Sequence, residues 1–136
     1  MNMIEKLLKV DAGKIETPTK EYEVKRLTKL FGFPFILQLR AIPPERYIEI
    51  QQNSVELKKG DVNKINMYDM QIKTILAGVT DPSLKDENLR RHFGAVSPKD
   101  LINKIFLAGE LSDISGEINK LCGYETQDEV DDAVKN

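Results

Sequence analysis

The stretch FPFILQLRAIPPERYIEIQQ, residues 33–52, changes its apolar period partway along. In its first half Phe33, Phe35, Leu37, Leu39 and Ala41 fall on one side of an extended chain, and Pro34, Ile36, Gln38 and Arg40 on the other, because side chains on a strand alternate. The second half opens on two prolines. Proline suits a first helical turn, where no backbone N–H is needed, so PPERYIEIQQNSVEL (43–57) reads as a helix that ends near the polar linker KKGDVNK (58–64). A strand that runs straight into a helix sets the class: the fold mixes both.

Upstream, EYEVKRL (21–27) reads as a second strand. Gly32 near the connection and Pro34 early in the following strand fit an edge-type hairpin. Two strands alone are not stable in water, so helices must cover their apolar face. Before them, residues 11–20 read as a polar loop, and residues 3–10 as a short amphipathic helix with Ile4, Leu7 and Leu8 at i, i+3, i+4 spacing.

Downstream the helical period dominates. NMYDMQIKTILAG opens on Asn66 with Asp69 three residues later, in the manner of a capping box; Tyr68, Ile72, Ile75, Leu76 and Val79 form its stripe, and Gly78 stands where it could close the helix. A short helix around Leu84–Phe93 stops at Gly94. Ser97 caps the next, with Pro98 in its first turn and a stripe of Leu101, Ile102, Ile105 and Phe106. The chain breaks around Ala108–Gly109, and a last stripe of Leu111, Ile114, Ile118 and Leu121 closes at Gly123. The expected fold is α+β and predominantly helical: an N-terminal β-hairpin packed against four or five helices. Residues 1–124 form one domain and residues 125–136 an acidic, flexible tail.

Composition bounds the function. The 136 residues suit one domain, and charged residues make up 31%. The net charge of −2 is uneven: residues 1–60 carry 11 bases and 8 acids, residues 61–136 carry 9 and 14. Five acids lie between Glu125 and Asp132. No basic face for nucleic acid emerges. No apolar run approaches the roughly 20 residues that span a bilayer, and the N-terminus lacks the features of a secretory signal. One cysteine, Cys122, fits a cytosolic chain.

Catalysis finds no purchase. The single histidine, His92, sits with Arg90 and Arg91 in the last turn of its helix, where cations complement the negative end of the dipole; Asp86 and Glu87 occupy the first turn of the same helix. One His and one Cys 30 positions apart make no zinc set, and the acidic end lacks the spaced ligands of a calcium loop. The glycines are scattered singly, none in a phosphate cradle. Cys122 beside the Leu121 stripe reads as a small apolar residue, with no base to activate it. No catalytic residue, metal ligand or cofactor is expected, and the chain reads as a binding protein. Two features could serve binding. The strand FPFILQL is apolar on both faces, and the last stripe is narrow, with Ser112, Asp113, Glu117 and Lys120 behind it. Both kinds of feature are more often core than partner surface, because helical stripes usually bury within their own chain; a groove for a partner's apolar helix and an edge that pairs between subunits are the alternatives.

MIEKLLKVDAGKIETPTKEYEVKRL, FILQLRAIPPERYIEIQ, MQIKTILAGVTDPSLKD and FGAVSPKDLINKIFLAGELSDISGEINKLCGY, in that order and before an acidic ending, resemble the XkdN-like phage tail assembly chaperones over roughly residues 3–124. The resemblance implies a non-enzymatic protein of phages, prophages or tail-like bacteriocins with contractile tails. It would act in the host cytoplasm, coat the tape-measure protein and keep its hydrophobic helices soluble until the tail tube polymerises, and be absent from the finished particle. Related chaperones have a short form and a frameshift-extended form whose extension contacts the tube subunit; the ending here would correspond to the short form. The expected partner is therefore the tape-measure protein; contact with the tail tube protein, and self-association through the exposed edge strand, stay open beside it. The resemblance brings no residue-level motif, so the candidate partner-binding residues come from the pattern: Phe33, Phe35 and Leu37 on the hairpin, and Leu111, Ile114 and Ile118 on the last helix. The alternatives are a stable component of a tail or baseplate and a small regulatory binding protein.

Overall fold

Successive stretches of this sequence carry their own start and stop signals, and the computed structural model, which describes residues 2–56 and 64–124, follows most of them. Helix α1 spans Met3–Leu7, and the side chain of Asn2 accepts the Glu5 N–H at 2.8 Å. After a 3-10 turn at Ala12–Lys14 comes strand β1, Thr19–Glu23. Helix α2 is Lys25–Phe31, strand β2 is Ile36–Arg40 and helix α3 is Pro44–Asn53. The short strands β3 (Val55–Glu56) and β4 (Lys64–Ile65) pair antiparallel across the segment 57–63. Helix α4 (Met67–Gly78) leads directly into strand β5 (Val79–Asp81). Helices α5 (Glu87–His92), α6 (Pro98–Ile105) and α7 (Ala108–Leu121) complete the described chain. The fold is α+β and predominantly helical, as the sequence indicated.

The expected strand pair is present, but its connection is not a tight turn. β1 and β2 run antiparallel with Thr19 opposite Arg40 and Glu23 opposite Ile36. Between them the chain turns helical at Lys25, so EYEVKRL straddles a strand and a helix. Val24 is the switch: its N–H donates to the Phe35 carbonyl, while its own carbonyl accepts from Leu27 and Thr28. The buried Val24 and Leu27 and the half-buried Phe31 keep a helical spacing that alternation in the preceding strand conceals. Gly32, at φ 79°, ends α2 in the left-handed conformation that glycine tolerates.

β2 is the central strand of a three-stranded sheet, with β1 on one side and β5, also antiparallel, on the other. One face of that sheet carries Leu37 and Leu39, both fully buried. On the other face Gln38 donates to Glu21 at 3.2 Å and Ile36 reaches the surface. Helix α7 lies against the sheet and also against α4, which contacts α3 and α6 in turn. The core therefore sits on both sides of α7, whose Ile114 and Ile118 are fully buried.

Gly78 owes its place to that packing rather than to helix termination. A Cβ on it would lie 2.6 to 2.9 Å from three carbon atoms of Ile118, so α4 and α7 approach here as closely as a glycine allows. The remaining caps follow the sequence. Asn66 accepts from Asp69 N–H at 3.0 Å, Asp86 from Leu89 at 2.8 Å, and Ser97 from Asp100 at 3.1 Å. The break before α7 falls at Phe106–Leu107, just ahead of the expected Ala108–Gly109. The Glu110 carboxylate accepts the Leu107 N–H at 2.8 Å and fixes that corner. Tyr68 leaves its expected stripe and is exposed, with its hydroxyl on Asn103 and Lys99 over its ring. The expected linker 58–64 lies outside the described residues except for Lys64, and the expected acidic tail lies outside them entirely.

Candidate functional site: an aromatic groove

The end of α2 and the segment that leads from it into β2 place phenylalanines at 31, 33 and 35 side by side. Gly32 reverses the chain, and the Thr28 hydroxyl, itself donating to Glu23, accepts the Phe35 N–H at 2.9 Å, which pins the turn to the helix. The rings of Phe31 and Phe33 stack with centroids 6.0 Å apart, Phe35 tilts against Phe31 at 6.0 Å, and Phe106 meets Phe35 edge-on at 6.1 Å. Opposite stand Pro82 and Leu84 after β5, Leu89 and Phe93 around α5, and Ile105 at the end of α6. Together they line an open cavity of about 520 Å³. Its walls are almost wholly apolar, with His92 at the edge, its ring perpendicular to Phe93. Phe33 is 56% exposed, an unusual position for a phenylalanine surrounded by other apolar side chains.

The candidate binding residues separate into two groups. Phe33 and Phe35 meet in this groove. Leu37, Leu111, Ile114 and Ile118 lie in the core, where a partner cannot touch them in this conformation, because the sheet, α4 and α7 cover one another's apolar faces. The opposite wall of the groove was not legible beforehand, since Leu84, Leu89, Phe93 and Ile105 come from three separate segments.

The histidine-arginine cluster is built as a helix end. The Arg90 guanidinium donates to the Ala95 carbonyl at 2.9 Å, and Arg91 pairs with Glu87 one turn back at 3.4 Å. Cys122 is half-buried, and the Ile42 N–H points at its sulfur at 3.3 Å. Among the described residues no three His, Cys, Asp or Glu side chains are grouped so as to hold a metal ion, and no helix is long and apolar enough to cross a membrane. A smaller cavity of about 190 Å³ lies between α4 and α7, crossed by a bond from Gln71 to Ser112.

The groove is braced from behind by a charged clamp. Arg26 of α2 donates from Nε and Nη2 to both oxygens of Glu110 at 2.9 and 2.8 Å, and from Nη2 to the Ile105 carbonyl at 2.8 Å. The Arg26 bonds, helped by the Leu107 N–H, hold the Glu110 carboxyl below the usual carboxylate range. Burial, with Asp113, Glu117 and Glu110 nearby, pushes the Tyr22 hydroxyl up. The clamp ties the aromatic wall on α2 to the α6–α7 corner, which carries Ile105.

The crystal structure of the protein YqbN superposes on this fold with a TM-score of 0.64, covering 82% of this chain and 89% of that one at 15% sequence identity, a likeness of fold alone. No curated protein matches the sequence. Residues 4–135, nearly the whole chain, match the family of phage XkdN-like tail assembly chaperone proteins, and the chain belongs to that family.

Proposed function

We propose that this chain binds an amphipathic helix of the phage tape-measure protein in the Phe31–Phe35 groove, and that it keeps that protein soluble in the host cytoplasm until the tail tube forms. The observation that carries the reading is an apolar, open groove with a half-exposed aromatic wall on a member of a tail assembly chaperone family. Helix-in-groove recognition needs apolar anchors at i, i+3, i+4 or i+7 and a cavity to receive them. A cavity of about 520 Å³ has room for several aliphatic side chains. Four such anchors would contribute roughly 6–12 kcal/mol at ~1.5–3 each, against an association cost of about 4–15 kcal/mol. The balance favours moderate affinity, which suits a holder that tube subunits displace. Such a role needs no catalysis and no cofactor.

Co-expression with the tape-measure protein of the same gene cluster, followed by affinity purification of this chain, tests the reading. The expected result is a soluble complex holding several copies of this chain. Insoluble tape-measure protein beside a chain that elutes alone would overturn it, and recovery of the chain as a fixed part of purified particles would favour a structural component.

A further inference from the structure

We infer that the N-terminal arm, residues 3–10, docks in the Phe31–Phe35 groove of a second copy of this chain, so that the protein self-associates and covers its own groove until a client helix displaces the arm. The regulatory half of this inference rests on the groove reading above; the self-association does not.

Among the described residues nothing covers the arm. Helix α1 buries none of its five residues, and its stripe of Ile4, Leu7 and Leu8 is 69%, 60% and 81% exposed. A helix shorter than about 12–15 residues is marginal in water unless something packs on its apolar side. The spacing of that stripe is the spacing a helix-binding groove reads. One molecule thus carries an unpartnered apolar helix and an unfilled apolar groove.

The single chain does not bring them together. Among the described residues, none before Phe31 lines the groove. β1 begins at Thr19 opposite Arg40, the far end of β2 from Phe35. Residues 9–18, all exposed and reaching about 30 Å when extended, give the arm the reach to leave its own body. Met3, Ile4, Leu7 and Leu8 are each more than half exposed, so the whole apolar side of the arm is open to a second copy. Arm-in-groove is a heterologous contact, which closes as a two-way exchange between two copies or runs on through more.

Sedimentation of the full chain from low micromolar to several hundred micromolar, with Leu8→Asp and Phe33→Asp beside it, tests the inference. Both positions are exposed, so thermal unfolding at the lowest concentration, where association adds no stability, should be unchanged in each variant. The wild type should gain mass with concentration, and each variant should associate at least roughly tenfold more weakly. An equimolar mixture of the two should recover a one-to-one complex, because the first keeps its groove and the second keeps its arm. A wild type that stays monomeric throughout, or association that survives in both variants, would overturn the inference. A monomeric wild type that still captures the tape-measure protein would defeat this inference alone. Self-association without any capture would defeat the client reading alone.

Discussion

Helices α1 and α7 carry the same message in sequence and meet opposite fates. Each presents aliphatic residues at i, i+3 or i+4 with charges behind them: Ile4, Leu7 and Leu8 in one, Leu111, Ile114 and Ile118 in the other. In α7 the three are buried between the sheet and α4, whereas the α1 stripe stands in solvent. Periodicity therefore reports that a face wants cover, not which molecule supplies it. For α7 the cover is this chain. Among the described residues nothing gives the α1 stripe such cover, and Phe33 in the groove is likewise half exposed.

Several measurements would break or sharpen that contrast. The largest effect belongs to Ile114. Truncation to alanine should cost about 2–5 kcal/mol in chemical denaturation, while the same change at Leu7 should stay within about 0.5 kcal/mol. Similar losses at the two sites would mean that α1 packs on the body after all. Next comes Gly78→Ala, where the added methyl must push into the side chain of the fully buried Ile118. The gain in helix propensity is smaller than the clash, so a net loss of about 1–3 kcal/mol is expected in thermal unfolding.

Glu110→Gln sits lower on the scale, at about 1 kcal/mol near neutral pH, and its pH dependence is the sharper readout. In the folded chain Arg26 holds the Glu110 carboxyl below its ordinary value, so the unfolded chain takes up its proton first as pH falls. The stabilisation is present above the unfolded value near 4.3 and is lost as the pH drops through and below it. Asp69, lowered mainly by its bond from Lys73, acts in the same direction. The wild type should therefore lose stability between about pH 5 and 3, and Glu110→Gln should lose less. An equally steep curve in the variant would place the acid sensitivity elsewhere. The smallest stability effect is expected for Phe33→Ser, within about 0.5 kcal/mol, because more than half of that ring is already in water.

The elements that begin and end on local chemistry were legible. Ser97 and Pro98 mark the start of α6 and Asn66 that of α4, because each cap acts within three residues, whereas α5 starts at Glu87 behind its cap Asp86 and not at the expected Leu84. The alternation through Leu37 and Leu39 identified the inner face of β2. Helix α2 was missed because Val24 ends a strand pairing and begins a helical stripe in one step, and the strand pattern claimed it. Half of the groove was legible, in Phe33 and Phe35. Its other wall was not, since Leu84, Phe93 and Ile105 meet there only after β5, α5 and α6 have folded against the sheet. Gly78 looked like a stop signal because nothing local reveals that Ile118, 40 positions on, will press against it.

The central claim is that the exposed aromatic wall, and not the buried α7 stripe, meets the partner. Equilibrium binding of an amphipathic tape-measure segment to the wild type and to Phe33→Asp, with thermal unfolding recorded on the same samples, tests it most directly. The account predicts an affinity at least roughly tenfold weaker with an unchanged unfolding midpoint. Unchanged affinity in the variant, or a loss that appears only together with unfolding, would contradict it.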